Sequence, residues 1–147
     1  MENANYEEMS LFVDAVVATR QAIKHHFQQK LKETKSEVTY EMVQVLNVLW
    51  KKRKVNQQEI ANAVQKGKAS LTVIIDQLSQ LNLVIRSEDP ADRRNKIIRL
   101  TKEGLTYKRK FEPVMREFYA SFNTGIPAQK IREVTGLLLK MAGHIRK

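Results

Sequence analysis

Helical periodicity runs along this chain with one break, and that break limits the folds open to it. Leu83-Val84-Ile85-Arg86-Ser87 and Lys96-Ile97-Ile98-Arg99-Leu100 are short, aliphatic and β-branched, and they flank a polar stretch, Glu88–Asn95, that contains Pro90. Two such runs about a polar loop read as a β-hairpin. Elsewhere apolar residues recur every three or four positions, the spacing of one helical face. Five glycines and three prolines leave few turns. The chain is therefore predicted to be mainly α with one small hairpin.

Stripes and caps place the helices. Phe12, Val16, Thr19, Ile23, Phe27 and Leu31 mark a helix over about residues 8–32. It is long for so narrow a stripe, which packs either on a partner chain or on its own domain. Thr39 can cap a second helix, with Glu41 in its first turn and Met42, Val45, Leu46, Leu49 and Trp50 as core. Asn56 can cap a third, with Glu59 as reciprocal capping partner and Val55 and Ile60 as a hydrophobic staple. That helix fades at Gln65-Lys66-Gly67, where glycine permits a tight turn.

A fourth helix, about Lys68 to Gln80, buries Leu71, Ile74, Ile75 and Leu78. Its opposite face carries Ala69, Thr72, Val73 and Asp76, with Ser70 and Gln77 on the flanks. Two short helices joined by a glycine-containing turn form a helix-turn-helix. Followed directly by a hairpin, they have the layout of a winged helix. Thr101 can cap a fifth helix through Phe111 toward Phe122, with Leu105, Met115 and Phe118 on its apolar side and Pro113 expected to kink or split it. Pro127 fits the first turn of a last helix striped by Ile131, Val134, Leu138, Met141 and Ile145 and widened by Leu137 and Leu139.

Charge points to the partner. Residues 51–110 hold fifteen Lys and Arg against six Asp and Glu, a net +9, while the other 87 residues carry +1. A near-neutral frame around a basic middle suits a polyanion, although a solvated basic face would look the same by charge alone. The run Lys51–Lys54 has two readings of its own, phosphate contact or complement to a helix C-terminus.

From residue 38 to 104 the sequence resembles the MarR family of bacterial transcription regulators. The resemblance lies in Val38-Thr39 with Leu46 and Leu49, Gln58-Glu59-Ile60-Ala61, Ser70-Leu71-Thr72 with Ile75-Asp76 and Leu78, and Leu83-Val84 with Arg86. Its most specific part is Asp89-Pro90-Ala91-Asp92-Arg93-Arg94, followed by Leu100-Thr101 and Gly104. The resemblance implies a winged helix-turn-helix flanked by N- and C-terminal dimerisation helices. It implies a homodimer on pseudo-palindromic double-stranded DNA, and a small effector molecule, often phenolic, that releases it. The divisions expected are 1–37 for the N-terminal dimerisation helix, 38–101 for the DNA-binding region and 102–147 for the completing helices. Two positions depart from the family: Val73 stands where an arginine is common, and Gly67 where an acidic residue is frequent.

Reading a major groove needs a helix end that offers donors and small side chains to base edges. Here that end comprises Lys66, Lys68, Ala69, Ser70, Thr72 and Val73. Lys66 and Lys68 suit phosphate, and Ser70 and Thr72 offer hydroxyls. Val73 either touches a thymine methyl or widens the core stripe; Gln65 and Gln77 rank lower as adenine readers. At the wing, Arg94 matches the family's groove-facing arginine, with Arg93 as its alternate and Lys96 for phosphate. An arginine at a hairpin tip suits a narrow A·T minor groove. Asp92 is expected to structure the wing by pairing with a neighbouring arginine.

Catalysis has little to work with. The chain has no Gly-rich phosphate loop, no His-Glu-x-x-His and no nucleophile elbow. Without cysteine there is no disulfide, thiolate metal site or thiol switch. Of the three histidines, His25 and His26 are adjacent and cannot share a helical face, and His144 is remote in sequence. No catalytic residue, cofactor or metal is expected, and no effector pocket can be named. An acidic, polar first twenty residues and the absence of a ~20-residue apolar run point to a cytoplasmic chain without a membrane partner. The reading is a dimeric, sequence-specific repressor. Its rival is a non-regulatory basic winged-helix module for DNA architecture or protein interaction.

Overall fold

The computed structural model describes residues 2–122 and 125–146. Six helices and three strands follow in the order α1 (Glu2–Glu33), α2 (Tyr40–Lys52), β1 (Lys54–Asn56), α3 (Gln57–Val64), α4 (Lys68–Gln80), β2 (Val84–Glu88), β3 (Lys96–Leu100), α5 (Lys102–Ser121) and α6 (Ala128–Ile145). Among the described residues no helix is long and apolar enough to cross a membrane.

Local chemistry sets most boundaries. The Thr39 hydroxyl accepts from Met42 N at 3.3 Å and starts α2. Asn56 Oδ1 accepts from Gln58 N at 2.7 Å and starts α3. The reciprocal bond expected from Glu59 is absent, because its carboxylate instead meets Lys52 Nζ at 3.4 Å. The Thr101 hydroxyl accepts from Gly104 N at 2.9 Å and donates to Asn82 O at 2.6 Å, tying the start of α5 to the end of the α4–β2 turn. Pro113 lies inside α5 without splitting it. A proline removes one intrahelical donor, and here the helix runs on to Ser121.

The hairpin is part of a three-stranded antiparallel sheet of order β1-β3-β2. Hydropathy patterning does not reveal β1, a three-residue edge strand held by register with β3: Lys54 faces Arg99, Val55 faces Ile98 and Asn56 faces Ile97. Val55 and Ile98 point inward to the core, which also buries Leu46, Leu49, Ile60, Leu71, Ile75 and Leu78 completely. Phe27 and Leu31 of α1 and Phe111 and Phe118 of α5 close its far side. There the Phe27 ring meets Phe118 at 4.9 Å and Phe111 at 6.1 Å between centroids. Trp50 is only partly buried, and its indole N–H donates to Gly104 O at 3.1 Å.

The ends of the chain differ from this. α6 buries no residue, and Val134, Leu137 and Leu139 on it are 52%, 60% and 69% exposed. The N-terminal half of α1 likewise exposes Met9, Val13, Val16 and Val17. Thus the α1 stripe divides: Phe27 and Leu31 pack on the chain's own core, while Val16 and Ile23 stay exposed among the described residues.

Candidate nucleic-acid interface

The turn into α4 is set by Gln65, whose φ of 54° is left-handed and which closes α3. Gly67, expected to make that turn, has an ordinary φ of −68° and open space where a Cβ would stand. Gly67 precedes α4 without a side-chain cap, whereas Thr39, Asn56 and Thr101 cap α2, α3 and α5. The first N–H groups of a helix have no intrahelical partner. The start of α4 is therefore a place where an anion is favoured.

Along α4, Leu71, Ile74, Ile75 and Leu78 are buried. Lys68, Ala69 and Ser70 are exposed, Lys66 is half-buried, and Val73 is 57% exposed. Val73 is thus a surface aliphatic on the outer face of the helix, not an extension of the core stripe. Thr72 is more constrained than the sequence indicates. Its hydroxyl donates to Lys68 O at 2.9 Å and accepts from Gln57 Nε2 at 3.2 Å. Its proton is thus committed within the protein.

The hairpin turn is built by two aspartates. Asp89 Oδ1 accepts from Ala91 N at 2.9 Å, and Asp92 Oδ1 accepts from Arg94 N at 3.0 Å. Asn95 N donates to Asp92 O and Asp89 N to Asn95 O, which closes the loop. Asp92 therefore acts mainly on the Arg94 backbone; the Arg94 Nε lies 4.0 Å away, an ion pair of little weight at this exposure. The Arg94 side chain is 95% exposed. Arg93 is exposed as well, and Lys96 Nζ rests 3.1 Å from Glu88 Oε1.

A contact that periodicity could not reveal locks the two parts together. Arg86 of β2 reaches Asp76 of α4 at 2.9 Å and donates to Thr72 O at 3.5 Å, while its Nε is buried without a partner. Both residues belong to the motif of the resemblance, but only the fold brings them together. The result is one open cleft of about 360 Å³, lined by Lys68 and Thr72 from α4, by Gln57 from α3, and by Arg94 and Lys96 from the hairpin. The start of α4 and the hairpin tip thus border one concavity.

A helix-turn-helix packed on a small sheet whose hairpin extends beside the second helix is a winged helix. Residues 38–96, the winged-helix segment, match the model of the MarR family. Among solved structures it is similar to AbsC, a MarR family transcriptional regulator from Streptomyces coelicolor (TM-score 0.78, 21% identity, covering 93% of each chain). It is similar to the DNA complex of MepR from S. aureus (TM-score 0.74, 21% identity, 90% of this chain and 97% of that one). It is also similar to BpsR of Bordetella bronchiseptica, whose DNA binding is regulated by 6-hydroxynicotinic acid (TM-score 0.78, 23% identity, 90% and 98%). At these identities the likeness establishes a shared fold.

Proposed function

We propose that this chain is a homodimeric, sequence-specific transcriptional regulator, a repressor that grips pseudo-palindromic duplex DNA and is released by a small effector. The observation that carries the reading is the shared concavity of α4 and the wing, with Lys68, Thr72, Arg94 and Lys96 around it. In this reading α4 lies in the major groove. Lys66 and Lys68 bind phosphate, Ser70, Ala69 and the Thr72 methyl meet base edges, and Val73 packs on a thymine methyl. Arg94, with Arg93 beside it, enters the adjacent minor groove, and Lys96 binds phosphate.

The dimer is supported by the bare apolar faces of α6 and of the first half of α1, which a two-fold partner would cover. Two reading helices would then lie about one helical turn apart, roughly 34–36 Å. Release by an effector is supported by the family and by the precedent of BpsR. It is tested by screening small aromatic acids for loss of binding.

The decisive experiment selects bound sequences from a random duplex pool. The expected result is a palindromic consensus preferred over random duplex by ~10³ or more at physiological salt. A preference near one, with tight binding retained, would replace this reading with that of a general basic DNA module.

A further inference from the structure

We infer that α4 reads the C5 methyl group of a pyrimidine rather than the base that carries it, so that duplex DNA bearing 5-methylcytosine is accepted where thymine is read. The inference rests on the DNA-binding reading above and goes beyond it by naming a chemically modified duplex as a ligand.

The outer face of α4 sets what can be read. Leu71, Ile74, Ile75 and Leu78 are buried. At 3.6 residues per turn, Ala69 and Val73 stand near the centre of the opposite side. They are four residues apart and so are neighbours on that face. Both are exposed, Val73 by 57%. Both fall in the first two turns, the part of a reading helix that meets base edges.

The hydrogen-bonding groups around this apolar pair are turned aside, engaged or indifferent. Lys68 is the one cation of α4, and it borders the cleft shared with the hairpin. Its position is roughly 140° around the helix from Val73. The Thr72 hydroxyl donates to Lys68 O and accepts from Gln57 Nε2. The Asp76 carboxylate holds Arg86 at 2.9 Å. Ser70 and Gln77 remain, both exposed on the flank. A hydroxyl and an amide each donate and accept, so either base edge satisfies them.

Base chemistry supplies the rest. In the major groove thymine presents an O4 acceptor and a C5 methyl, and cytosine presents an N4 donor. Telling O4 from N4 takes a side chain that only donates or only accepts. Ala69, Ser70, Val73 and Gln77 include no such group. What this face distinguishes is whether a methyl covers Val73 and excludes water from it. Thymine and 5-methylcytosine carry that methyl, whereas uracil and unmodified cytosine lack it. Methylation of cytosine at the contacted position therefore strengthens the site.

The test uses the full-length protein and the duplex selected from the random pool. Its thymines are replaced by deoxyuridine, one symmetric pair at a time, and the pair with the largest loss marks the contact. At that pair four duplexes are compared, with thymine, uracil, 5-methylcytosine or cytosine. Burying one methyl is worth about fourfold in affinity, and a two-fold complex buries two, giving about 15-fold. Thymine over uracil and 5-methylcytosine over cytosine are both expected to gain about this factor. Val73→Ala is exposed and favours the helix, so it should melt no lower, and both gains should shrink to about fourfold or less. The inference is overturned if no uracil substitution costs more than twofold, if 5-methylcytosine binds no better than cytosine, or if V73A keeps both gains in full. A parent that shows no preference for the selected duplex over random duplex would instead remove the sequence-specific reading on which the inference rests.

Discussion

The wing assignment can be tested cleanly because the Arg94 side chain is structurally idle. Its guanidinium is 95% exposed, and its one carboxylate neighbour, Asp92, is 4.0 Å away. The turn is held through the Arg94 backbone N–H on Asp92 Oδ1, a bond that survives truncation of the side chain. Arg94→Ala should therefore leave the melting temperature unchanged, since an exposed pair of this kind is worth ~0–1 kcal/mol at most. The binding cost is different. A groove-reading arginine contributes roughly 1–3 kcal/mol. A two-fold dimer has two wings, so independent losses sum to roughly 2–6 kcal/mol, and the smaller figure already corresponds to about 30-fold in Kd. Fluorescence anisotropy on the selected duplex at ~0.15 M salt, alongside thermal melting, reads both quantities. An affinity within twofold of the parent would refute the wing reading. A lost affinity accompanied by a lowered melting temperature would show instead that Arg94 supports the fold.

Further outcomes follow from other parts of the structure. A Cβ on Gly104 would stand 2.2 Å from Leu83 O, a backbone atom that cannot rotate away; Gly104→Ala should cost about 1–3 kcal/mol by overpacking, net of its better helix propensity, as measured by denaturant melting. The V134E/L138E pair places charge on the bare face of α6 and should give a monomer in sedimentation, with specific DNA binding lost alongside; an intact dimer would displace α6 from the interface. Glu88→Gln removes a carboxylate beside Lys96 that would repel a bound phosphate by about 0.7 kcal/mol at ~6 Å in water; it should tighten binding roughly two- to tenfold, and weakened binding would mean that Glu88 positions Lys96. The hydrogen bond from Lys30 Nζ to Glu117, at 2.7 Å, raises the lysine pKa above 10.5. Its contribution is complete below pH 10.5 and is lost as pH rises through the raised folded value, so Lys30→Met should flatten the alkaline decline of stability; an unchanged decline would exclude this pair as its source.

What the sequence reveals and what it hides divide along the range of the interactions. The α4 stripe, the Thr101 cap and the hairpin are local patterns and are legible. β1 is not, because three residues led by a lysine become a strand only through pairing with Arg99, Ile98 and Ile97, more than forty residues away. The left-handed turn falls on Gln65 rather than Gly67, since the position that closes α3 is fixed by the Lys66 N–H bond to Ala61 O and not by residue preference. Val73 lies on the face opposite the α4 stripe yet is aliphatic, which leaves the sequence two readings; its 57% exposure decides for the surface. The bond from Gln57 to Thr72 and the reach of Arg86 to Asp76 each join different elements, so no spacing rule could have found them.

The fate of the carboxylates gives the basic middle its meaning. Between Lys51 and Lys110 there are six acidic residues. Glu59 holds Lys52, Asp76 holds Arg86, Glu88 holds Lys96, and Asp89 and Asp92 accept the backbone N–H groups that shape the wing. Glu103 sits in the first turn of α5, where the helix dipole favours a negative charge. Each anion thus has local work that holds it in place. Lys66, Lys68 and Arg93, by contrast, have no ion pair among the described residues. A merely solvated basic surface would be expected to intermix opposite charges and gain the modest pairing energy available to them. Here the negative groups stabilise the hairpin and its junction with α4, and the unpaired positive groups flank the start of α4 and the tip of the wing. The charged side chains that line the cleft itself, Lys68, Arg86, Arg94 and Lys96, are all basic, while the anions stand behind them and keep the loop in shape, a combination suited to a phosphate backbone.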